Sequence, residues 1–154
     1  MSHVVRRAVA ADADAMRQVA LAAYAIYLPR MDRPPAPLEA DYSRLVAEQE
    51  CWVVDVAGGA IVALLILVEM PDHLLLDNIA VSPSRQGTGL GALLLGLADD
   101  RARALGRHEV RLYTNEVMTE NQTYYARHGY VETHREADRG YDRVFFTKRL
   151  AAVP

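Results

Sequence analysis

Apolar and polar residues alternate with period two in several short stretches, the pattern of strands buried on one face. In Cys51 to Val56, Trp52, Val54 and Val56 share a face opposite Asp55. In Glu109 to Thr114, Val110 and Leu112 alternate with Glu109, Arg111 and Tyr113. A strand near His3 to Val9 opens the chain, and Tyr141 to Lys148 nearly closes it. Ala57-Gly58-Gly59-Ala60 supplies a tight turn into Ile61 to Glu69, a continuous apolar run suited to a central strand covered on both faces. Leu74 to Val81 is similar, but the polar pair Asp77 and Asn78 interrupts it.

Helical spacing appears at Met16, Val19, Ala20 and Ala23, with Asp12 placed to be the N-cap. It recurs at Tyr42, Leu45 and Val46, and more strongly at Leu90, Leu93, Leu94, Leu97 and Ala98, ending at Gly106. Thr119-Glu120-Asn121-Gln122 has the form of a capping box, which predicts a short helix from about Glu120 to His128 that stops at Gly129. The predicted order is strand, two helices, three strands, helix, strand, helix, two strands, a mixed α/β fold. Pro29 to Pro37 holds four prolines and reads as a rigid surface loop between the first two helices.

Composition narrows the function classes. The 154 residues, 51% hydrophobic and 24% charged, fit one compact domain spanning 1–154. A net charge of -3 argues against nonspecific nucleic-acid binding, which needs a concentrated basic face. The single cysteine, Cys51, excludes an internal disulfide framework and, beside Trp52, reads as a core residue. The longest apolar run, Ala60 to Val68, is short of the ~20 residues that span a bilayer, and the first ten residues lack a signal peptide's apolar core. The expectation is a cytoplasmic protein with no membrane partner. His73, His108, His128 and His134 have no metal-ligand spacing, so no metal is expected.

The most informative stretch runs from Asn78 to Gly91, where a strand feeds the turn Gln86-Gly87-Thr88-Gly89-Leu90-Gly91 and then a helix. The first N–H groups of a helix lack internal partners and the macrodipole favours negative charge there, so this is an anion site. The triphosphate-binding loop is excluded, because Gly91-Ala92 replaces its Gly-Lys-Ser/Thr ending. Gly87-x-Gly89-x-x-Ala92 fits a relaxed dinucleotide fingerprint, with Glu116 where a ribose-binding acid would stand. Against it, Pro83 separates strand from glycines and too little chain follows for a doubly wound sheet.

Gln86-x-x-Gly89-x-Gly91 after Ile79-Ala80-Val81 closely resembles the coenzyme A signature of the GNAT acyltransferase superfamily. Asn121-Gln122-Thr123-Tyr124-Tyr125-Ala126-Arg127-His128-Gly129-Tyr130 resembles that family's second motif. The resemblance implies a mostly antiparallel sheet of six to seven strands, splayed between the fourth and fifth and flanked by about four helices. It implies acetyl-CoA as acyl donor, with its pantetheine arm on the backbone of Ile79 and Val81. The pyrophosphate would then lie on Gln86, Gly87, Thr88, Gly89, Leu90 and Gly91. Thr88 stands where a basic residue is common, which leaves phosphate binding to backbone donors and the dipole. Tyr125 is implied as general acid for the coenzyme A thiolate, with Asn121, four residues earlier on the same helix face, steadying the pantetheine. Tyr124 points about 100° away and reads as packing.

The implied activity is N-acyl transfer to a primary amine of a small molecule or peptide, with a homodimer possible. A non-catalytic acyl-CoA-binding regulator and the dinucleotide oxidoreductase are the alternatives. Asp77, Glu116 and ordered water are the candidate bases, and either carboxylate could instead be merely solvated. Arg30 and Arg33 flank the acceptor pocket and could clamp a substrate carboxylate or face solvent.

Overall fold

The computed structural model describes residues 2–151; Met1 and 152–154, part of the 1–154 expectation, lie outside the described residues. Seven strands form one sheet: β1 (His3–Arg7), β2 (Glu50–Val56), β3 (Ala60–Glu69), β4 (Leu74–Val81), β5 (Glu109–Asn115), β6 (Val131–Asp138) and β7 (Tyr141–Arg149). Their order in space is β1-β2-β3-β4-β5-β7-β6. Every pairing is antiparallel except β4 with β5, so the sheet is not the parallel, doubly wound one that the dinucleotide reading requires.

Five α-helices flank it: α1 (Ala13–Tyr24), α2 (Ala36–Glu39), α3 (Tyr42–Glu48), α4 (Leu90–Ala104) and α5 (Thr119–Arg127). Helix α4 buries Leu90, Leu94, Leu95, Ala98 and Ala102 in a core it shares with Leu65, Leu67, Val110 and Phe146, whereas Leu93 faces solvent. On the opposite sheet face, Met16, Val19 and Ala20 of α1 pack on Val53, Leu64 and Ile66 around Cys51. Burial pushes the Cys51 thiol up to about 11, in keeping with a core residue. Helix α1 packs on β3 and β4, and α3 on β2.

The sheet opens where β4 meets β5. Only Leu74 with Val110 and Leu75 with Arg111 are paired, which leaves the β5-facing edge of β4 beyond Leu75 without a strand partner. A bulge accompanies the opening: Ile66 pairs with Asn78 and Leu67 with Leu76, so Asp77 opposes nothing on β3. The extra residue flips the alternation. Leu74 and Leu76 face the α4 side, but Asn78 and Ala80 face the α1 side. The polar pair that breaks the sequence pattern is therefore where the strand changes face.

Three local expectations are corrected. Asp12 stands at the N-cap position of α1 but its side chain makes no cap bond there; its carboxylate accepts from the Val9 N–H at 2.8 Å and from Arg6 at 2.8 and 3.0 Å, in a short 3-10 turn that precedes the helix. The capping box at Thr119 does not form, because the Thr119 hydroxyl donates to the Glu120 carboxylate at 2.9 Å and the Gln122 amide donates to the Glu116 carbonyl. The proline segment is not a free surface loop. Pro35 is fully buried, and the Tyr141 hydroxyl donates to the Pro34 carbonyl at 2.7 Å, so the segment rests on the β6–β7 hairpin.

Candidate functional site

One side of the opening is built from backbone. After β4 a 3-10 turn, Pro83–Arg85, leads to Gly87 at φ 80° and Gly89 at φ 91°, left-handed values that glycine adopts without strain. A Cβ at either would meet no protein atom within 4 Å, so the space above them is open. Gly89 caps α4, whose first-turn N–H groups at Leu90, Gly91 and Ala92 have no intrahelical acceptor. Gly91 has a different reason. A Cβ there would collide with the Tyr124 hydroxyl, so Tyr124 packs on the loop. The Gln86 side chain donates to the Val81 carbonyl at 3.1 Å, and the Thr88 hydroxyl donates to the Arg85 carbonyl. Leu90 is a core anchor that contributes only backbone here. This set fits a diphosphate: open space over two glycines, a helix N-terminus, and an unpaired strand edge carrying Ile79 and Val81.

The other side is built from side chains. A cavity of about 540 Å³ is bounded by β4, β5, β7, the proline segment and α5. Asp77 and Ile79 line it from β4, and Asn121 and Tyr125 line it from α5, so the two helix residues do share one face. Tyr125 is 6% exposed, and its hydroxyl has no hydrogen-bond partner among the described residues. Its ring is held by Tyr130 and Phe146 at centroid distances of 5.8 and 6.2 Å. The end of α5 enforces this: with Gly129 at φ 91°, the Tyr130 N–H reaches the Tyr125 carbonyl at 3.1 Å and the Gly129 N–H reaches that of Ala126, closing a Schellman motif. Burial raises the Tyr125 phenol pKa well above the usual tyrosine value. The Asn121 side-chain oxygen accepts from the Tyr27 hydroxyl at 3.2 Å.

Asp77 and Glu116 part company. Asp77 is half-buried, and no donor among the described residues reaches its carboxylate. Burial raises its pKa, opposed by the charges of Arg143 and Arg139. Glu116 lies outside the cavity, exposed and paired with Arg135 at 3.4 Å. Of the two candidate arginines, Arg33 lines the cavity and Arg30 is not among its lining residues. Arg30 pairs with Glu120 through both guanidinium nitrogens at 2.7 and 2.9 Å, while Arg33 stacks on Tyr141 at 4.1 Å and donates to the Arg139 carbonyl.

Sequence reasoning missed the cavity's Asn78 and Arg143. Asn78 is buried, its oxygen accepting from Tyr24 at 2.9 Å and its amide donating to Tyr42, which in turn donates to the Pro37 carbonyl at 2.6 Å. That chain ties the bulge to the proline segment. Arg143 is 6% exposed and stacks 4.2 Å over Tyr113. Its available signal was an arginine at the strand parity of Tyr141 and Phe145. Among the described residues no group of three or more His, Cys, Asp or Glu side chains could hold a metal, and no helix is long and apolar enough to cross a membrane.

The sequence matches the Acetyltransferase (GNAT) family over residues 14–130, and the chain belongs to that family of acetyltransferases. Similar solved structures include the PaiA N-acetyltransferase of Thermoplasma acidophilum in complex with coenzyme A, with a TM-score of 0.81 at 15% identity, covering 97% of this chain and 99% of that one. The ribosomal-protein-alanine N-acetyltransferase of Escherichia coli matches at 0.78 and 18%, covering 99% and 97%. A GNAT-family acetyltransferase of Staphylococcus aureus matches at 0.78 and 15%, covering 97% and 100%. At these identities the likeness shows the fold alone. No curated protein matches.

Proposed function

We propose that the protein transfers an acyl group, in the simplest case acetyl from acetyl-CoA, directly to the primary amine of a small molecule or peptide. One observation carries this reading. The unpaired edge of β4 runs between the glycine loop on one side and the cavity holding Asp77 and Tyr125 on the other. The coenzyme supplies an acyl thioester. In the balanced reaction the amine nitrogen forms the new C–N bond, the C–S bond breaks, the amine loses one proton and the sulfur gains one.

Asp77 receives the acceptor's ammonium and takes up its proton, directly or through water; a raised pKa brings this carboxylate closer to that task. Tyr125 keeps its proton across the physiological range and presents it to the departing sulfur, free of any competing protein partner. Gln86 to Gly91 hold the pyrophosphate through backbone donors, Ile79 and Val81 offer the strand edge to the pantetheine arm, and Asn121 steadies it.

The test follows free thiol release from acetyl-CoA with and without a panel of amines, alongside the melting temperature with acetyl-CoA or a nicotinamide dinucleotide. Amine-dependent release with stabilisation by acetyl-CoA is expected. Stabilisation without release for any amine would make the protein a binding module, and stabilisation by neither ligand would remove the reading.

A further inference from the structure

The acceptor side of the cavity carries its charge unevenly. On β7, Arg143 sits between the rings of Tyr113 at 4.2 Å and Tyr141 at 5.3 Å, almost fully buried. Its one ion pair joins a guanidinium nitrogen to Asp138 at 3.1 Å. A guanidinium has five N–H donors, and a buried charge is costly unless those donors find acceptors. Arg143 is also one of the residues that line the cavity.

A second arginine is held there against its own preference. Asp138 pairs with Tyr141, so Arg139 and Gly140 form the two-residue turn of the β6–β7 hairpin. Arg139 takes φ 54° and Gly140 φ 83°, where asparagine or glycine is the usual first residue. Among the described residues Arg139 is the one non-glycine with positive φ. Such strain persists where the surroundings fix it, and here Arg33 donates to the Arg139 carbonyl at 3.3 Å while Tyr141 anchors the hairpin to Pro34. Arg139 lines the cavity and pairs with no carboxylate among the described residues. Asp77, on the β4 wall, has no donor either.

Three acids line the remaining wall. Asp41 caps α3 by accepting from the Arg44 N–H, Glu48 pairs with Arg44, and Glu39 stands on the short helix α2 with no ion pair to either cavity arginine among the described residues. The cavity thus presents Asp77 on one wall, with no hydrogen-bond donor among the described residues, and Arg143 and Arg139 on another, close enough for their charges to act on it, within a volume suited to a small molecule.

We propose that the acceptor is a compact molecule carrying both an amine and an oxyanion, an amino acid in its simplest form, with the oxyanion on Arg143 and Arg139 and the amine toward Asp77. This rests on the acyltransferase reading above and names its substrate class. A planar guanidinium binds a carboxylate through two parallel hydrogen bonds, which fixes the amine's direction as well as adding affinity. A neutral amide in place of the carboxylate leaves the buried donors underused, and a polyamine brings like charge to them.

The experiment compares each of the twenty amino acids with its own carboxamide as acceptor, with 1-aminoethylphosphonate as the phosphorus counterpart of alanine. Calorimetry of N-acetyl amino acids against their methylamides accompanies it, as a readout independent of turnover. The expected result is at least one amino acid favoured about tenfold or more in kcat/KM over its carboxamide, and a matching preference in binding; a preference for the phosphonate would assign the oxyanion to phosphorus. Arg143→Gln should remove the preference. Because Arg143 is buried, Arg139→Gln at the exposed tip is the second variant, raising KM for the amino acid about tenfold while moving that of the carboxamide less than twofold. Carboxamides or neutral amines acetylated as well as their acids would overturn the proposal and leave the acyltransferase reading intact. So would calorimetry that shows no preference, or no binding of either form. Failure of acetyl-CoA to bind would instead strike the reading beneath it.

Discussion

The two sides of the cleft are made of different material. The glycine loop and the start of α4 work through backbone N–H groups, positive φ angles and a helix dipole, all within one stretch from Ile79 to Gly91. The cavity opposite is lined by the side chains of Asp77, Asn78, Tyr125, Arg139 and Arg143, which come from three separate elements and a turn. A backbone site tolerates change in its side chains and rejects change in its glycines. A side-chain site does the reverse, and so can alter its acceptor without disturbing its donor.

The sharpest test of that contrast is on the acceptor side. Tyr125→Phe should lower the single-turnover rate by about 10²-fold, the range for loss of a general acid, and change the acetyl-CoA Kd no more than a few-fold. Tyr124→Phe, one residue away against Gly91, should have a much smaller effect on that rate; equal single-turnover rates for Tyr125→Phe and wild type would end the general-acid assignment. Asp77→Asn should reduce kcat/KM for the amine by a similar factor while raising the melting temperature at pH 7. Asp77's folded pKa lies above its unfolded value, so its stabilising contribution is complete below the unfolded value and is lost as pH rises through the folded one. An amide in its place escapes that loss, and a lower melting temperature at pH 7 would count against the buried-carboxylate account.

The donor side should fail through its glycines. Gly89→Val puts a β-branched residue at φ 91° beneath open space, so acetyl-CoA affinity should fall at least about tenfold, roughly 1.4 kcal/mol, on a folded protein. Gly91→Ala should behave differently, displacing Tyr124 and lowering the melting temperature. Calorimetry paired with thermal unfolding separates the two.

Alkaline pH probes the packing behind the acceptor side. Burial raises the pKa values of Tyr24, Tyr42, Tyr125 and Tyr130 above the ordinary tyrosine value. Their contribution is therefore complete below about pH 10 and lost as pH rises through the folded values. Melting temperature should decline above pH 10, and a flat profile to pH 12 would contradict it. The smallest effect is expected from Arg33→Ala. Loosening the hairpin tip should raise the acceptor's KM a few-fold and leave acetyl-CoA affinity unchanged; a shift in the coenzyme affinity would contradict the division into two sides.

Much of this was legible along the chain, and the reasons for the exceptions are physical. Period-two strands, the α4 stripe and the stops at Gly106 and Gly129 are local consequences of residue type, and they reappear within a residue or two. The Thr119 box fails because its two side chains bond elsewhere, Thr119 to Glu120 and Gln122 to the Glu116 carbonyl, and Asp12 stands at the N-cap of α1 with its carboxylate taken by Arg6. Of the two arginines in the proline segment's neighbourhood, Arg33 does line the pocket, stacked on Tyr141, whereas Arg30 is spent on Glu120 of α5.

The sequence by itself determined the elements, the loop that turns glycine backbone toward an anion, and the helix that sets Asn121 and Tyr125 on one face. Each rests on contacts within about ten residues. The tertiary structure decided which carboxylate enters the cleft and which cations face it. A one-residue bulge on β4 turns Asp77 inward, and the β5–β7 pairing brings Arg143 beneath Tyr113. The order of the strands and the place of the bulge are global properties, fixed by how the two cores close on the sheet.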